Sequence, residues 1–150
     1  MTPLDVAERL LLAAGLGAVI GLEREYWHKP AGLRTNILIA IGSALFTILS
    51  VSMTAGTGDP SRVAGQIVTG IGFLGGGAIL RNRDTVHGMT TAATIWVNAA
   101  IGVACGIGQY ELATVTTALT LVVLVVLPPI EIYFERRAGW PDRHQPPTKD

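Results

Sequence analysis

Met89–Tyr110 reads MTTAATIWVNAAIGVACGIGQY, a run without a single charged side chain. As a helix rising 1.5 Å per residue it is about 30 Å long, the thickness of a bilayer's hydrocarbon core. Three more stretches share this freedom from charge: Ile37–Met53, Val63–Leu80 and Leu112–Ile130. A first helix over Leu4–Leu22 completes the set and brings Asp5, Glu8 and Arg9 into its outer turns, where Asp5 and Arg9 at i and i+4 are expected to pair. The run from Leu10 to Leu22 has no basic region before it and no small-residue cleavage site after it, so it reads as a retained helix rather than a signal peptide. The expected fold is an all-α integral membrane protein of five transmembrane helices. A mean hydropathy of +0.46 with 15% charged residues agrees, since a soluble surface needs more charge.

Charge placement sets the expected orientation. The segments 23–34 and 81–88 and the C-terminal tail hold Arg24, Lys29, Arg34, Arg81, Arg83, Arg136, Arg137, Arg143 and Lys149; the opposite side holds Arg9 and Arg62. The positive-inside rule then places the N-terminus outside and the C-terminus in the cytoplasm. Residues 1–130 are expected to form the transmembrane domain and 131–150 a short charged tail, broken by Pro141, Pro146 and Pro147 and disordered beyond its first helical turns. The short connections, GTGDP from Gly56 and the Gly-rich reversal at 106–111, make successive helices antiparallel. A weak parallel repeat is also visible: GAVIGLERE from Gly17 and AGLRT from Ala31 resemble GGGAILRNRD from Gly75 and HGMTT from His87.

The residues that could carry chemistry fall into two groups. Glu23, Arg24, Glu25 and Arg34 flank the first cytoplasmic connection, and Arg81, Arg83, Asp84 and His87 flank the second. They read either as topogenic charge with mutual ion pairs, Glu23 with Arg34 among them, or as an anion site beside the helix starts at Thr35-Asn36 and Thr90-Thr91. A metal is less natural, because Glu23 and Glu25 at i and i+2 point to nearly opposite sides of a helix. The second group is small or polar. Gly65, Thr69, Gly72 and Gly76 make one stripe along the third helix; Ala13, Gly17 and Gly21 recur on the first; Thr91, Thr94, Asn98, Gly102 and Cys105 share a face of the fourth. Such stripes admit a neighbouring backbone, and Asn98 is expected to face the bundle interior. Alternatively, Gly75-Gly76-Gly77 is an unwound segment lining a site close to the cytoplasmic surface.

Several classes fare poorly. Every Asp lies outside or at the edge of the apolar core, no His is buried in it, and the single Cys105 allows no internal disulfide. No nucleotide loop or metal-ligand spacing occurs, so no enzyme, no cofactor and no metal is expected. A formal net charge of zero gives no argument for nucleic acid. The expected partners are the lipid bilayer and further copies of the chain.

GLERE from Gly21, PAGLRTN from Pro30, IVTGIGFLGGGAIL from Ile67 and GMTTAATIWVNAAIG from Gly88 together resemble the MgtC/SapB family of bacterial membrane proteins over about Leu10–Tyr110. Gly76 departs from a frequent Ala of the family pattern, and Asn98 from a frequent Thr or Ser. The resemblance implies an inner-membrane protein linked to adaptation to low magnesium and, in pathogens, to survival inside host cells. It implies a regulator that restrains the proton-translocating ATP synthase, a partner membrane complex. Well-known members also carry a cytoplasmic C-terminal domain of ACT-like fold, which this sequence is expected to lack. A small ion transporter or channel, for magnesium among others, is the alternative, and an intramembrane carboxylate or His would have favoured it.

Overall fold

The computed structural model describes residues 1–54, 58–59, 61–82 and 85–138. Among them five helices run in the order α1 (Pro3–Tyr26), α2 (Leu33–Met53), α3 (Ser61–Gly77), α4 (Met89–Gly106) and α5 (Tyr110–Ala138), with a small hairpin of β1 (Leu80–Asn82) and β2 (Thr85–His87) before α4. α2, α4 and α5 up to Phe134 are long and apolar enough to cross a membrane. The expected tail beyond Ala138, together with Arg83 and Asp84, lies outside the described residues.

α1 starts on a capping box. Thr2 accepts from the Asp5 amide at 3.2 Å, Asp5 accepts from the Thr2 amide at 2.7 Å, and Pro3 fills the first helical position. Asp5 is thereby committed to the helix start, and the expected partner Arg9 instead donates to the Gly106 carbonyl at the end of α4, 2.5 Å away. The carbonyl end of a helix is where a cation is most favourable, so this contact outcompetes a local i, i+4 pair.

The core is a three-helix clasp with α2 in the middle. Ala13, Gly17, Ile20, Gly21 and Arg24 form the buried stripe of α1. A Cβ at Gly17 would stand 2.8 Å from the Asn36 carbonyl oxygen, and one at Gly21 would stand 2.7 Å from Leu33 Cα. From the other side, a Cβ at Gly102 would meet Ser43 Cβ at 2.8 Å and one at Gly106 would meet Thr47 Cβ at 2.6 Å. No side chain fits at these four positions, so α2 lies against α1 and α4 nearly backbone to backbone. That proximity supplies the dispersion contacts that hold helices together where apolar surroundings remove the hydrophobic drive. α5 tucks Ala113, Thr117 and Leu124 inward and turns Leu119, Val122 and Val123 outward.

Among the described residues α3 packs by a face other than its small-residue stripe. Its buried face is Ile67 and Gly75, flanked by Ile71, against Ile95 and Ala99 of α4. The stripe of Gly65, Gly72 and Gly76 points away, and a Cβ at any of them would meet nothing within 4 Å. The larger Ile side chains win the inward face because they fill the space beside α4. Gly75-Gly76-Gly77 is helical, not unwound, and Gly75 is the glycine that faces Ala92 of α4, where an added Cβ would stand 3.4 Å from the Ala92 carbonyl oxygen. The helix ends at Gly77 rather than Leu80, because Leu80, Arg81 and Asn82 pair with His87, Val86 and Thr85. Gly88 closes the hairpin at φ 89°, where a Cβ would collide with the Ala78 carbonyl.

Candidate functional site

The polar interior of the protein lies along the seam where α2 meets α1 and α4. At one end, Arg24 in the last turn of α1 is 4% exposed and donates through Nη2 to Thr91 Oγ1 at 2.6 Å and toward the Pro30 carbonyl at 3.5 Å. A guanidinium stays charged in any protein environment, so its burial is costly unless its donors are used. Arg24 Nε has no partner among the described residues. Glu23 beside it has one buried carboxylate oxygen, also without a partner. Burial pushes the Glu23 carboxyl above its ordinary value, against the opposing pull of Arg24 and Lys29.

The connection from α1 to α2 is built to bring these groups together. His28 and Ala31 adopt φ of 50° and 58°, a left-handed geometry uncommon for residues with a Cβ. The turn they make lets the Lys29 amide reach back to the Arg24 carbonyl at 2.9 Å. It also presents the α2 start to Glu25, which accepts from the Leu33 amide at 3.2 Å. Gly32 at the cap position offers no side chain, so Glu25 supplies the acceptor that the helix start lacks. The expected Glu23–Arg34 pair is therefore replaced: Glu25 anchors α2, and Arg34 is exposed.

Further along the seam, Asn36 and Asn98 are completely buried. Asn98 Nδ2 donates to the Asn36 carbonyl at 2.7 Å and to Asn36 Oδ1 at 3.2 Å, and Asn36 Nδ2 donates to the Gly32 carbonyl at 3.0 Å. Asn98 Oδ1 is left without a partner among the described residues. Thr94 is buried on the same face and donates to the Thr90 carbonyl of its own helix at 2.7 Å. The arrangement ties three helices by side-chain hydrogen bonds across long sequence distances. Among the described residues no group of three or more His, Cys, Asp or Glu could hold a metal ion.

With that geometry in place, comparison with known proteins is informative. The model of the MgtC family matches residues 10–133. The chain belongs to the MgtC family. The similar proteins include Protein MgtC of Salmonella typhimurium, 52% identical over 79% of this chain and 50% of its own length. Protein MgtC of Brucella abortus is 47% identical over 82% of this chain and 51% of its own. An uncharacterized protein of Synechocystis is 45% identical over 86% and 55%. The chain thus spans about half the length of the curated relatives it matches. No solved structure gives a significant match. Membership in the MgtC family and the apolar helices together identify a membrane protein.

In this MgtC family member the expected site residues separate into distinct roles. Gly17, Gly21 and Gly102 pack against α2, while Gly65, Gly72 and Gly76 face outward. Arg24 and Glu25 hold the first connection together, and Arg34 and Arg81 are exposed. Thr91 lies on the polar face that the sequence already marks with Thr94 and Asn98, whereas Asn36 was visible only as a helix-start residue, and nothing in a sequence couples position 36 to position 98 or 24 to 91.

Proposed function

We propose that this protein is an MgtC-type regulator of the bacterial inner membrane that crosses the bilayer five times, with its N-terminus outside and its C-terminus in the cytoplasm. It acts in adaptation to low magnesium, and in a pathogen in intracellular survival, by binding and restraining the proton-translocating ATP synthase. It forms homo-oligomers and catalyses no reaction. The observation that carries this reading is the use of polar groups within the helices. Asn36, Asn98, Arg24 and Thr91 are spent on joining α1, α2 and α4, which makes a rigid body rather than a polar path. The outward face of α3, with Gly65, Gly72 and Gly76 open, supports docking of a further helix, since small residues let backbones approach.

One observation favours the alternative, a small transporter or channel for cations such as magnesium: Asn98 Oδ1 is a buried acceptor with no partner among the described residues. A single experiment separates the two. The protein is purified in mild detergent from cells grown at low magnesium, co-purifying subunits are identified, and the same sample is assayed for ion flux in liposomes. Recovery of ATP synthase subunits without flux supports the regulator, and flux without a partner replaces it with the transporter.

A further inference from the structure

α3 leans on α4 and leaves its other side open toward α2. Between α2 and α3 lies a cavity of about 700 Å³, walled by Leu38, Gly42 and Phe46 on one side and Ile67, Gly70 and Leu74 on the other. It opens outward, since Leu38 is 69% and Phe46 58% exposed. Two of its wall positions are glycines where an added Cβ would meet nothing within 4 Å, so the width of the groove comes from the missing side chains at 42 and 70. Glycine in a helix interior costs about 1 kcal/mol of helix propensity, and no close packing within the chain accounts for these two.

The ends of the groove are not apolar. Arg34 stands one turn before Leu38, hence on the same face of α2, and is exposed. Thr35 lines the mouth beside it. Gly32 gives the first turn of α2 no side-chain cap and the Glu25 carboxylate takes the Leu33 amide, so Arg34, exposed and next in the chain to Thr35 of the mouth, is the permanent cation at this end of the groove. From Thr35 to Phe46 the wall extends about 16 Å. The volume falls within the roughly 300–1,000 Å³ of small-molecule pockets and is narrow for a helix of about 10–12 Å diameter. A long apolar slot with a cation at one mouth is complementary to an amphiphile with an anionic head.

We propose that the α2–α3 groove holds one acyl chain of an anionic membrane phospholipid, with its phosphate at Arg34. The lipid completes the wall that α3 leaves open and ties α3 to α2. This inference rests on the reading of the chain as spanning the membrane, and insertion is therefore scored separately, by alkaline carbonate extraction of the same membranes.

The test uses the full chain, purified in mild detergent and examined by native mass spectrometry for retained phosphatidylglycerol. Wild type is expected to retain one lipid. Gly42→Leu and Gly70→Leu, which fill the groove from opposite walls, should each lower occupancy about tenfold, and Gly15→Leu, at an open position on α1, should not. Arg34→Gln should lower it comparably. A measurement without variants accompanies these: delipidated wild type reloaded with phosphatidylglycerol should bind it at least about tenfold more tightly than a diacylglycerol of the same chains. Equal retention by wild type and both filled variants, or equal binding of the two lipids, overturns the proposal. Loss of a dimer in the filled variants with lipid retention unchanged also overturns it, assigning the groove to a second copy. A protein that inserts yet retains no lipid sinks the groove alone; one that carbonate extracts sinks the membrane reading as well.

Discussion

Replacing Asn98 by Leu would remove the donor that reaches Asn36 and leave the Asn36 carbonyl and amide oxygens facing an apolar side chain. Interhelical hydrogen bonds in membrane proteins contribute about 0.6–2 kcal/mol, so a loss of that order is expected in thermal or denaturant unfolding in detergent. In a double-mutant cycle with Asn36→Leu, the pair should lose less than the sum of the singles, because the second replacement removes groups already unpaired. Additive losses would mean that the two side chains do not interact. Glu23 makes a second prediction at this scale. Its carboxyl is raised above the ordinary value by burial, so the folded state favours the protonated form. The associated stability is fully present below the ordinary carboxylate range and is lost as pH rises through the raised value. As pH rises above the ordinary carboxylate range the wild-type unfolding midpoint should fall relative to Glu23→Gln; parallel curves would show that the group is not desolvated in solution.

Among the elements, α2 and α3 make opposite predictions about glycine. Gly17→Leu and Gly102→Leu push a side chain into the backbone of α2 and should destabilise the fold by several kcal/mol or prevent accumulation. Gly72→Leu and Gly76→Leu meet open space and should leave the folded monomer intact, while weakening any partner that docks on that face. Melting temperature for the first property and co-purification for the second separate these effects. The contrast also marks what a sequence can convey. Four of the five helices were legible as charge-free runs, since length and apolarity are properties that each run carries by itself. Which glycine stripe faced inward was not legible, because α3 carries both an Ile67-Ile71-Gly75 face and a Gly65-Gly72-Gly76 face, and only the shape of α4 chooses between them. The hairpin at Leu80–His87 was hidden for a related reason: three-residue strands are too short to show alternation. Arg24 was visible as a charge, but its burial depends on Thr91 arriving from the other half of the chain.

For the whole molecule, the arrangement proposed in the membrane is tested by accessibility. Single cysteines at Asp59 and Glu111 in a Cys105→Ala background should react with an impermeant maleimide added to intact cells, and cysteines at Lys29 and Arg81 should react only after lysis. The reverse pattern would invert the orientation, and a mixed pattern would change the number of crossings. Both ends of the bundle are tied to α4: Arg24 reaches Thr91 where α4 begins, and Arg9 reaches Gly106 where it ends. α1 is therefore fastened lengthwise to a helix 67 to 97 residues further along the chain, and both pack on α2.

The clasp around α2 dictates an order of events during synthesis. When the ribosome has delivered α1 and α2, Gly17 and Gly21 already allow those two helices to close, and Asn36 is satisfied by its own helix start. α3 follows, and the partners of its buried face, Ile95 and Ala99, are on α4 and still to be made. Only when α4 emerges does Asn98 find Asn36 and does Thr91 find Arg24. A chain interrupted between Gly77 and Thr91 would thus leave Arg24 and Asn36 without the partners that α4 supplies, and it should be degraded faster than the whole chain.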